Sequence, residues 1–261
     1  MAGKVVPMKR PVHYKGIRSL WIALIGMMLF STSLVYLITL DIRSFPLWTI
    51  PLGTIWMTLM YTGLFITVHD SMHGSVLPNN RRANNFIGAM SIFFYAMFSY
   101  RKLKKKHFQH HKNPGTSRDP DYHDGKNKGF IMWYLRFMKN YLSPLQLVGI
   151  AIGFNFLIFV VGLPLMNMIL FWALPSLGST LQLFYFGTYL PHREPEGGYT
   201  NRHHARSSNF PYSLSLITCY HFGYHLEHHL FPYVQWWRLP WVRREMKRLV
   251  PVDDGYGNCS V

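Results

Sequence analysis

Long uncharged apolar runs divide this chain of 261 residues. Residues 20–40 and residues 45–68 contain no charged side chain. Each run is long enough to cross a bilayer as a helix, which takes about 20 apolar residues. Asp41, Arg43 and Ser44 lie in the very short connection between them. The two runs are therefore predicted to form an antiparallel transmembrane hairpin.

A third apolar region, residues 145–191, extends for 47 residues without a formal charge. That length is too great for one helix and suits two, with a break predicted near Leu163–Pro164 and Asn167. The predicted fold is a single all-α integral membrane domain over residues 1–261, with four transmembrane helices in two hairpins. The predicted spans are residues 20–40, 45–68, 145–163 and 168–190.

The apolar run at residues 86–100 is too short to span a bilayer and has basic residues at both ends. Both ends are thus predicted on one side of the membrane, as a short interfacial or re-entrant helix. Of the 27 lysines and arginines, only Arg43 falls in an outer loop under this arrangement. The positive-inside rule then predicts that both termini, the middle segment at residues 69–144 and the tail at residues 192–261 are cytoplasmic.

The chain is strongly basic and contains only two cysteines. The formal net charge is +16, but the basic residues flank the apolar runs, which indicates anionic lipid and not nucleic acid. Cys219 and Cys259 lie far apart, so a disulfide framework is not expected. Tryptophans interleave with basic residues in the tail, a pattern typical of a helix at headgroup level. These residues are Trp236, Trp237, Trp241, Arg238, Arg243, Arg244, Lys247 and Arg248.

Histidine carries the candidate chemistry, because twelve of the fourteen histidines fall within residues 69–111 and 192–229. Three clusters, HDSMH, HFQHH and HLEHH, have the spacing i, i+3 or i+4 that places imidazoles on one face of a helix. One more histidine lies at the predicted inner end of the fourth span. These candidate metal ligands are His69, His73, His107, His110, His111, His192, His225, His228 and His229.

All nine histidines lie next to the same predicted face of the membrane, so they can converge into a cap on the cytoplasmic side. Imidazolium ions gathered there would repel one another, whereas a metal ion binds the neutral ring. Nine nitrogen ligands exceed the capacity of one ion, so two ions are predicted. Imidazole suits iron, zinc, copper and nickel alike, and the residues leave the choice among first-row transition metals open.

The remaining histidines are assigned less specific roles. His221 lies four residues before His225 and is predicted to be either a tenth ligand or a partner that orients a ligand. His203 and His204 lie in a polar loop with arginines and are expected to face solvent. The sequence assigns no role to His13 and His123.

Acidic residues are scarce, and four lie in or beside the clusters. A ligating imidazole usually donates its second N–H to a carboxylate or carbonyl group. Asp70 and Asp119 are predicted to accept such bonds. For Asp121 and Glu227, the same role and an ordinary loop or helix-start charge both remain open.

The motifs resemble those of the membrane fatty acid desaturase and hydroxylase superfamily, and more narrowly those of bacterial and cyanobacterial β-carotene ketolases. The similar passages cover roughly residues 60–240. They are HDSMHGSV at 69–76, HFQHHKNPGTSRDPDYH at 107–123, YLPHREP at 189–195, NRHHARSSNFP at 201–211 and CYHFGYHLEHHLFP at 219–232.

The resemblance implies an enzyme with two iron ions held by the nine histidines, in a bacterial inner or cyanobacterial membrane. It implies oxidation of the C4 and C4′ methylenes of β-ionone rings to ketones by two hydroxylations and loss of water. β-Carotene would become echinenone and canthaxanthin, and hydroxylated carotenoids such as zeaxanthin would proceed toward astaxanthin. The resemblance also implies O₂ as co-substrate and reduced ferredoxin as electron donor, which the basic cytoplasmic face would dock.

Two alternatives remain at this stage. A carotenoid 3-hydroxylase or a fatty acyl desaturase would share the scaffold and the histidine clusters. A non-enzymatic membrane metal-binding or transport protein is disfavoured, because the span interiors lack charge. Phe93, Phe94, Tyr95 and Phe222 are hypothesised to line the substrate channel, and a lipid-facing or core role explains these aromatic residues equally well.

Overall fold

The computed structural model describes residues 16–249, and all regular structure in that range is helical. The predictions for His13, for Cys259 and for the end of the tail lie outside these residues. The helices are α1 (Ile17–Thr39), α2 (Thr49–Met72), α3 (Arg81–Ala96), α4 (Tyr100–Lys112), α5 (Phe130–Tyr141), α6 (Pro144–Phe159), α7 (Leu165–His192), α8 (Tyr212–Cys219), α9 (His225–Leu230) and α10 (Leu239–Leu249).

Three of these helices, α1, α2 and α7, are long and apolar enough to cross a membrane. Helices α5 and α6 bend by 87° where they meet, and they make a fourth candidate span if the pair is one broken helix. The sequence did not predict α5. Helix α6 ends at Phe159, and the next helix begins after Pro164, which has no N–H to continue a helix. The fold is thus all-helical, with three or four candidate membrane spans.

Asn167 was predicted to lie near a helix break, and it lies in the first turn of α7, where it is buried. Its side-chain amide donates hydrogen bonds to the carbonyl oxygens of Leu37 and Leu40, at 3.0 and 2.7 Å. These are carbonyl groups at the end of α1 that have no partner within the helix. A polar side chain between apolar helices therefore fixes how α7 meets α1.

The predicted short helix at residues 86–100 is divided into two helices in the structure. Helix α3 begins earlier, at Arg81, because the side chain of Asn80 accepts a hydrogen bond from the Ala83 N–H and caps the helix. It ends at Ala96, and Met97 then adopts a left-handed conformation with φ of 54°. Helix α4 follows from Tyr100, so the chain turns sharply between the two helices.

Helix α7 contains two π-helical turns, Ile169–Ala173 and Tyr185–Tyr189. A π-turn inserts an extra residue and frees a backbone group from the regular hydrogen-bond ladder. In the first turn, the carbonyl oxygen of Leu170 accepts a hydrogen bond from the Thr54 hydroxyl at 3.0 Å. The second turn directly precedes the segment that ends at His192, so it sets the direction in which that imidazole points.

A buried ion pair joins the tail to α9. Arg243 was predicted to lie among lipid headgroups, but in the structure it is buried. Its guanidinium donates a hydrogen bond to Glu227 Oε1 at 2.8 Å, and this ion pair compensates the buried charge. Glu227 is fully buried and also accepts a hydrogen bond from the Ser207 hydroxyl. The Ser207 Oγ in turn accepts from the N–H of Leu226 at 3.0 Å. Glu227 lies in the first turn of α9, as one of its two interpretations held, and it anchors the helix through Arg243 and Ser207 and not through a histidine.

Replacing Arg243 with alanine tests this anchor. The variant leaves the Glu227 carboxylate buried without its cation, so the free energy of unfolding in detergent is expected to fall by about 3–5 kcal/mol. The neighbouring Arg244 is exposed. The control variant Arg244→Ala is expected to change the free energy of unfolding by less than about 0.5 kcal/mol. Equal effects of the two substitutions would contradict a structural role for the ion pair.

Candidate metal centre

Four helices bring the histidine clusters together. His69 lies in the last turn of α2, and His73 follows as its C-cap residue. The second cluster lies in the last turns of α4, the third occupies α9, and His192 is the last residue of α7. Because each cluster has helical spacing, its imidazoles leave the helix on one side and meet those of the other helices.

The nine imidazoles form two groups, and within each group the candidate ligand atoms lie within 4.8 Å of one another. In the first group, the Nε2 atom of His228 lies 3.1 Å from that of His69 and 3.0 Å from that of His111. The Nε2 atoms of His73 and His107 are 2.6 Å apart. The members of the first group are His69, His73, His107, His111 and His228.

The second group is more deeply buried than the first. The Nε2 atom of His225 lies 2.9 Å from that of His192 and 3.0 Å from that of His229. His229 Nε2 also lies 3.1 Å from His110 Nε2. The members of the second group, His110, His192, His225 and His229, are all buried.

Hydrogen bonds alone do not account for these contacts. A ring nitrogen carries either one proton or one lone pair, so it forms one hydrogen bond. The Nε2 atoms of His225, His228 and His229 each face two other Nε2 atoms. A metal ion between the rings would accept every lone pair at once. The residues therefore fit two metal ions.

The second nitrogen of two rings shows how the imidazoles are oriented. His110 Nδ1 lies 3.0 Å from both oxygens of Asp119, so its N–H donates to that carboxylate. His192 Nδ1 lies 2.8 Å from the carbonyl oxygen of His204 and donates to it. With the proton on Nδ1, the Nε2 lone pair is free for a metal. Asp119 thus occupies the position that was predicted for it.

The other acidic residues have different surroundings. Asp70 Oδ1 is 3.6 Å from His69 Nδ1, a longer contact than that of Asp119, and Asp70 Oδ2 accepts a hydrogen bond from the Trp236 N–H. Asp121 Oδ2 is 3.7 Å from His110 Nδ1, and its other oxygen accepts from the Tyr141 hydroxyl. Asp121 therefore places a second carboxylate near His110 but does not make the direct hydrogen bond that Asp119 makes.

Burial dominates the electrostatics of the imidazoles outside the candidate spans. It lowers the pKa of His111 to about 2, and neighbouring imidazoles add to the effect. Burial likewise holds the pKa well below its ordinary value in His107, His225, His228 and His229. These rings are therefore neutral, which is the form that binds a metal.

His110 is the exception. Burial lowers its pKa, but the carboxylates of Asp121 and Asp119 outweigh burial and raise the pKa above its ordinary value. Burial raises the pKa of Asp121 to about 6. Burial raises the pKa of Asp119, but the hydrogen bond from His110, the nearby imidazoles and the Asp121 N–H together outweigh burial and lower it. The carboxylates thus raise the basicity of His110.

His221 does not join either group of imidazoles. Its backbone has φ of 63°, its Nδ1 contacts the Ser215 hydroxyl at 3.2 Å, and its ring lies 4.6 Å from that of Tyr212. The residue lies outside α9, which begins at His225, so the helical spacing that suggested a shared face does not extend to it. The geometry places it away from the candidate ligands.

The remaining histidines are less exposed than predicted. His203 and His204 are half-buried, and His204 supplies the carbonyl oxygen that orients His192. No sequence pattern indicates this contact, because any residue has a carbonyl group. The structure buries His123 against Trp133, with ring centroids 4.8 Å apart, away from both groups.

A mostly apolar cavity of about 80 Å³ adjoins both groups of histidines. Tyr95 and Phe222 line it, in agreement with the channel hypothesis, and the Phe222 ring lies 4.5 Å from that of His69. Gly187 makes this position of Phe222 possible, because a Cβ atom there would lie 2.7 Å from the phenylalanine ring. The rest of the lining includes Phe65, Met72, Phe98, Leu103, Phe137 and Leu183.

Phe93 and Phe94 do not line this cavity, and both are about half exposed. Successive residues of a helix are rotated by about 100°. The inward face of α3 carries Ser91, Ile92 and Tyr95, which are buried. Positions 93 and 94 therefore point outward, and the channel hypothesis is corrected for these two residues.

Comparisons with known proteins agree with this site. The family model described as fatty acid desaturase matches residues 46–149 and 140–256. A β-carotene ketolase of one Paracoccus strain is 43% identical over 78% of this chain and 83% of its own length. A β-carotene ketolase of another Paracoccus strain is 40% identical over 82% of this chain and 90% of its own length.

An algal protein from Chlamydomonas reinhardtii named zeaxanthin 4-ketolase is 41% identical over 76% of this chain. The matched part is 47% of that longer protein, so this chain spans about half the length of its algal relative. The family match and the bacterial relatives each cover most of the chain, and the residues of the family match include all nine candidate ligands. The chain therefore belongs to the fatty acid desaturase family.

Proposed function

We propose that this protein is a carotenoid 4-ketolase, a membrane di-iron oxygenase that oxidises the C4 methylene of β-ionone rings to a ketone. The observation that carries the proposal is the pair of imidazole groups that open on one apolar cavity. The relatives named β-carotene ketolase and zeaxanthin 4-ketolase favour a carotenoid over an acyl chain as the substrate. Zeaxanthin carries hydroxyl groups on its rings, so both plain and hydroxylated rings are expected substrates.

The proposed metals are two iron ions, one in each group of imidazoles. The ligand atoms of the two imidazole groups are nitrogens, a third described group adds the carboxylates of Asp119 and Asp121 beside His110, and Cys219 belongs to none of these groups. Iron supplies the oxidising chemistry with O₂ that a C–H bond without an acidic proton requires. Asp119 and the His204 carbonyl oxygen hold two of the ligand rings in place.

The cavity residues position the ring and exclude water. Phe222 lies edge-on against His69 and contacts His225, with ring centroids 5.4 Å apart. A ring packed against Phe222 is thereby close to members of both imidazole groups. The apolar walls keep water from competing for the oxidant. After two hydroxylations at the same carbon, the geminal diol loses water and gives the ketone.

The proposed topology has four spans in two hairpins, with α5 and α6 forming one broken span. Helix α2 ends at the histidines, and α7 also ends at them, so both helices deliver their ligands to one membrane face. Arg43 is the only basic residue near the opposite ends of the spans. The positive-inside rule makes the histidine side cytoplasmic.

Reduced ferredoxin is the proposed electron donor, and it docks on a basic cleft that is separate from the apolar cavity. The cleft is lined by exposed Lys105, Lys112 and Arg118. Phe108 also lines it, is 45% exposed, and has its ring 5.5 Å from that of His73. Asp119, bonded to His110, is another lining residue. An acidic carrier bound there would lie close to both imidazole groups.

Pigment analysis of a β-carotene-producing host that expresses this chain tests the reaction. Echinenone and canthaxanthin are expected to accumulate, because the C4 methylene is the proposed target. The alternatives give different products: zeaxanthin indicates a 3-hydroxylase, and unsaturated lipid with unchanged β-carotene indicates an acyl desaturase. Either of these results would refute the ketolase proposal.

Metal analysis of anaerobically purified variants tests the assignment of ligands. The native chain is expected to bind about two iron ions, one per group of imidazoles. His228→Ala and His229→Ala each remove one ligand, from the first and second group respectively, and are expected to lose about half of the iron. His123→Ala, a buried histidine outside both groups, should retain all of it. A single zinc ion in the native chain would contradict the mechanism.

Charge reversal in the basic cleft tests the docking of the electron donor. Lys112→Glu and Arg118→Glu are expected to raise the KM for ferredoxin about tenfold at low salt, with kcat at saturating ferredoxin unchanged. The difference from the native protein should shrink above about 0.1 M salt, where screening is strong. Lys126→Glu changes the net charge equally at an exposed loop outside the cleft. If this control raised the KM as much, the cleft would not be the docking site.

A further inference from the structure

A groove of about 500 Å³ lies between the basic helix α4 and the start of the apolar helix α6. Its two walls run in opposite directions along the chain. At one end Met97 faces Gly149, where a Cβ atom would lie 3.3 Å from the methionine sulfur. At the other end the Lys106 ammonium donates to the carbonyl oxygen of Asn140. The first end is apolar and the second is polar, so the groove is amphipathic along its length.

The polar end of the groove carries two lysines, and none of the described residues that line the groove is acidic. Lys102 and Lys106 are four residues apart on α4, so both ammonium groups lie on the same face of the helix, where like charges repel. The Lys106 ammonium also lies 5.0 Å from the centre of the Tyr141 ring, which holds it beside the groove. Within residues 16–249, neither lysine forms an ion pair. An anion bound between the two ammonium groups would relieve their repulsion.

The other end of the groove opens toward the apolar surface of α6. Met97, Leu145 and Gly149 line this part. Leu145 is 83% exposed and begins the run of 47 residues without a formal charge. Val148 and Ile152 continue the exposed apolar surface of α6 beyond it. Because exposed apolar side chains of a membrane helix contact lipid, the groove crosses the boundary between the headgroups and the acyl chains.

We propose that this groove binds one acidic phospholipid, with its phosphate between Lys102 and Lys106 and an acyl chain along Met97 and Gly149. Basic pockets between membrane helices are typical sites for such headgroups. The volume of the groove is also typical of ligand-binding sites.

The two ends of the groove exclude other occupants. A carotenoid carries no charge, so it would cover the two ammonium groups without a counter-ion, which costs free energy. A soluble phosphate would pair with the lysines but would leave the apolar end facing water. An acidic phospholipid matches both ends. The lipid site is independent of the reaction, because none of the nine candidate metal ligands lines the groove.

Native mass spectrometry of the full chain, purified in detergent and titrated with phosphatidylglycerol or phosphatidylcholine, tests the headgroup end. The native chain is expected to bind one phosphatidylglycerol at least about tenfold more tightly than phosphatidylcholine, which has no net charge. Lys102 is exposed and lies outside the basic cleft, so Lys102→Glu should fold and should weaken the binding of phosphatidylglycerol at least about tenfold. Arg101→Glu makes the same kind of charge reversal at an exposed position outside the groove and should change the affinity less than about twofold. Equal affinity of the native chain for the two lipids, or equal losses in the two variants, would overturn the proposal.

Gly149→Phe tests the acyl-chain end by filling it. The substitution replaces a helix-interior glycine with a better helix former, so α6 is expected to fold, and the affinity for phosphatidylglycerol should fall at least about tenfold. Val148→Phe adds a ring at the neighbouring exposed position, outside the groove, and should leave the affinity within about twofold. Glycerol phosphate, the headgroup without acyl chains, should not displace the bound lipid. Displacement by glycerol phosphate, or native affinity in a folded Gly149→Phe variant, would overturn the proposal, and Lys102→Glu decides the question if Gly149→Phe does not fold.

Discussion

A neutral imidazole offers one lone pair on one ring nitrogen, and nine such nitrogens converge in two groups in this protein. Hydrogen bonds between rings satisfy only some of these contacts, so the arrangement depends on metal ions that accept the lone pairs together. Burial supports this state by keeping most of the rings neutral. The rest of the fold can be understood as the means of holding four helix ends at one point.

Three of the four helix ends are held by a polar contact outside the metal groups. The Glu227–Arg243 pair anchors α9 to the tail, Asp119 fixes His110, and the His204 carbonyl oxygen fixes His192. Between the spans, Asn167 joins α7 to α1. These bonds are costly to break in an apolar environment, so they define the relative positions of the helices. The apolar cavity then brings a substrate ring against a site that is built entirely from polar groups.

Helical spacing and charge-free spans are local patterns, so the sequence predicts that the nine histidines converge, and in the structure they lie together in two groups. It also predicts that Asp119 accepts a bond from an imidazole, and His110 donates one. The role of these residues at a metal stays a prediction. The sequence does not predict contacts between distant segments or hydrogen bonds that backbone groups make. The burial of Arg243 depends on Glu227, and the bond to His192 comes from a carbonyl group that any residue could supply. The outward direction of Phe93 and Phe94 follows from the inward face of α3, which a nearly continuous apolar run does not reveal.

X-ray absorption at the iron edge of the purified protein reports the atoms bound to the metal, so it tests whether the imidazoles bind the two ions. We expect a first coordination shell of nitrogen and oxygen atoms only, with the outer-shell scattering that imidazole rings produce. Substitution of a member of either imidazole group should reduce that scattering. A sulfur atom in the first shell, or iron bound without imidazole scattering, would contradict the account.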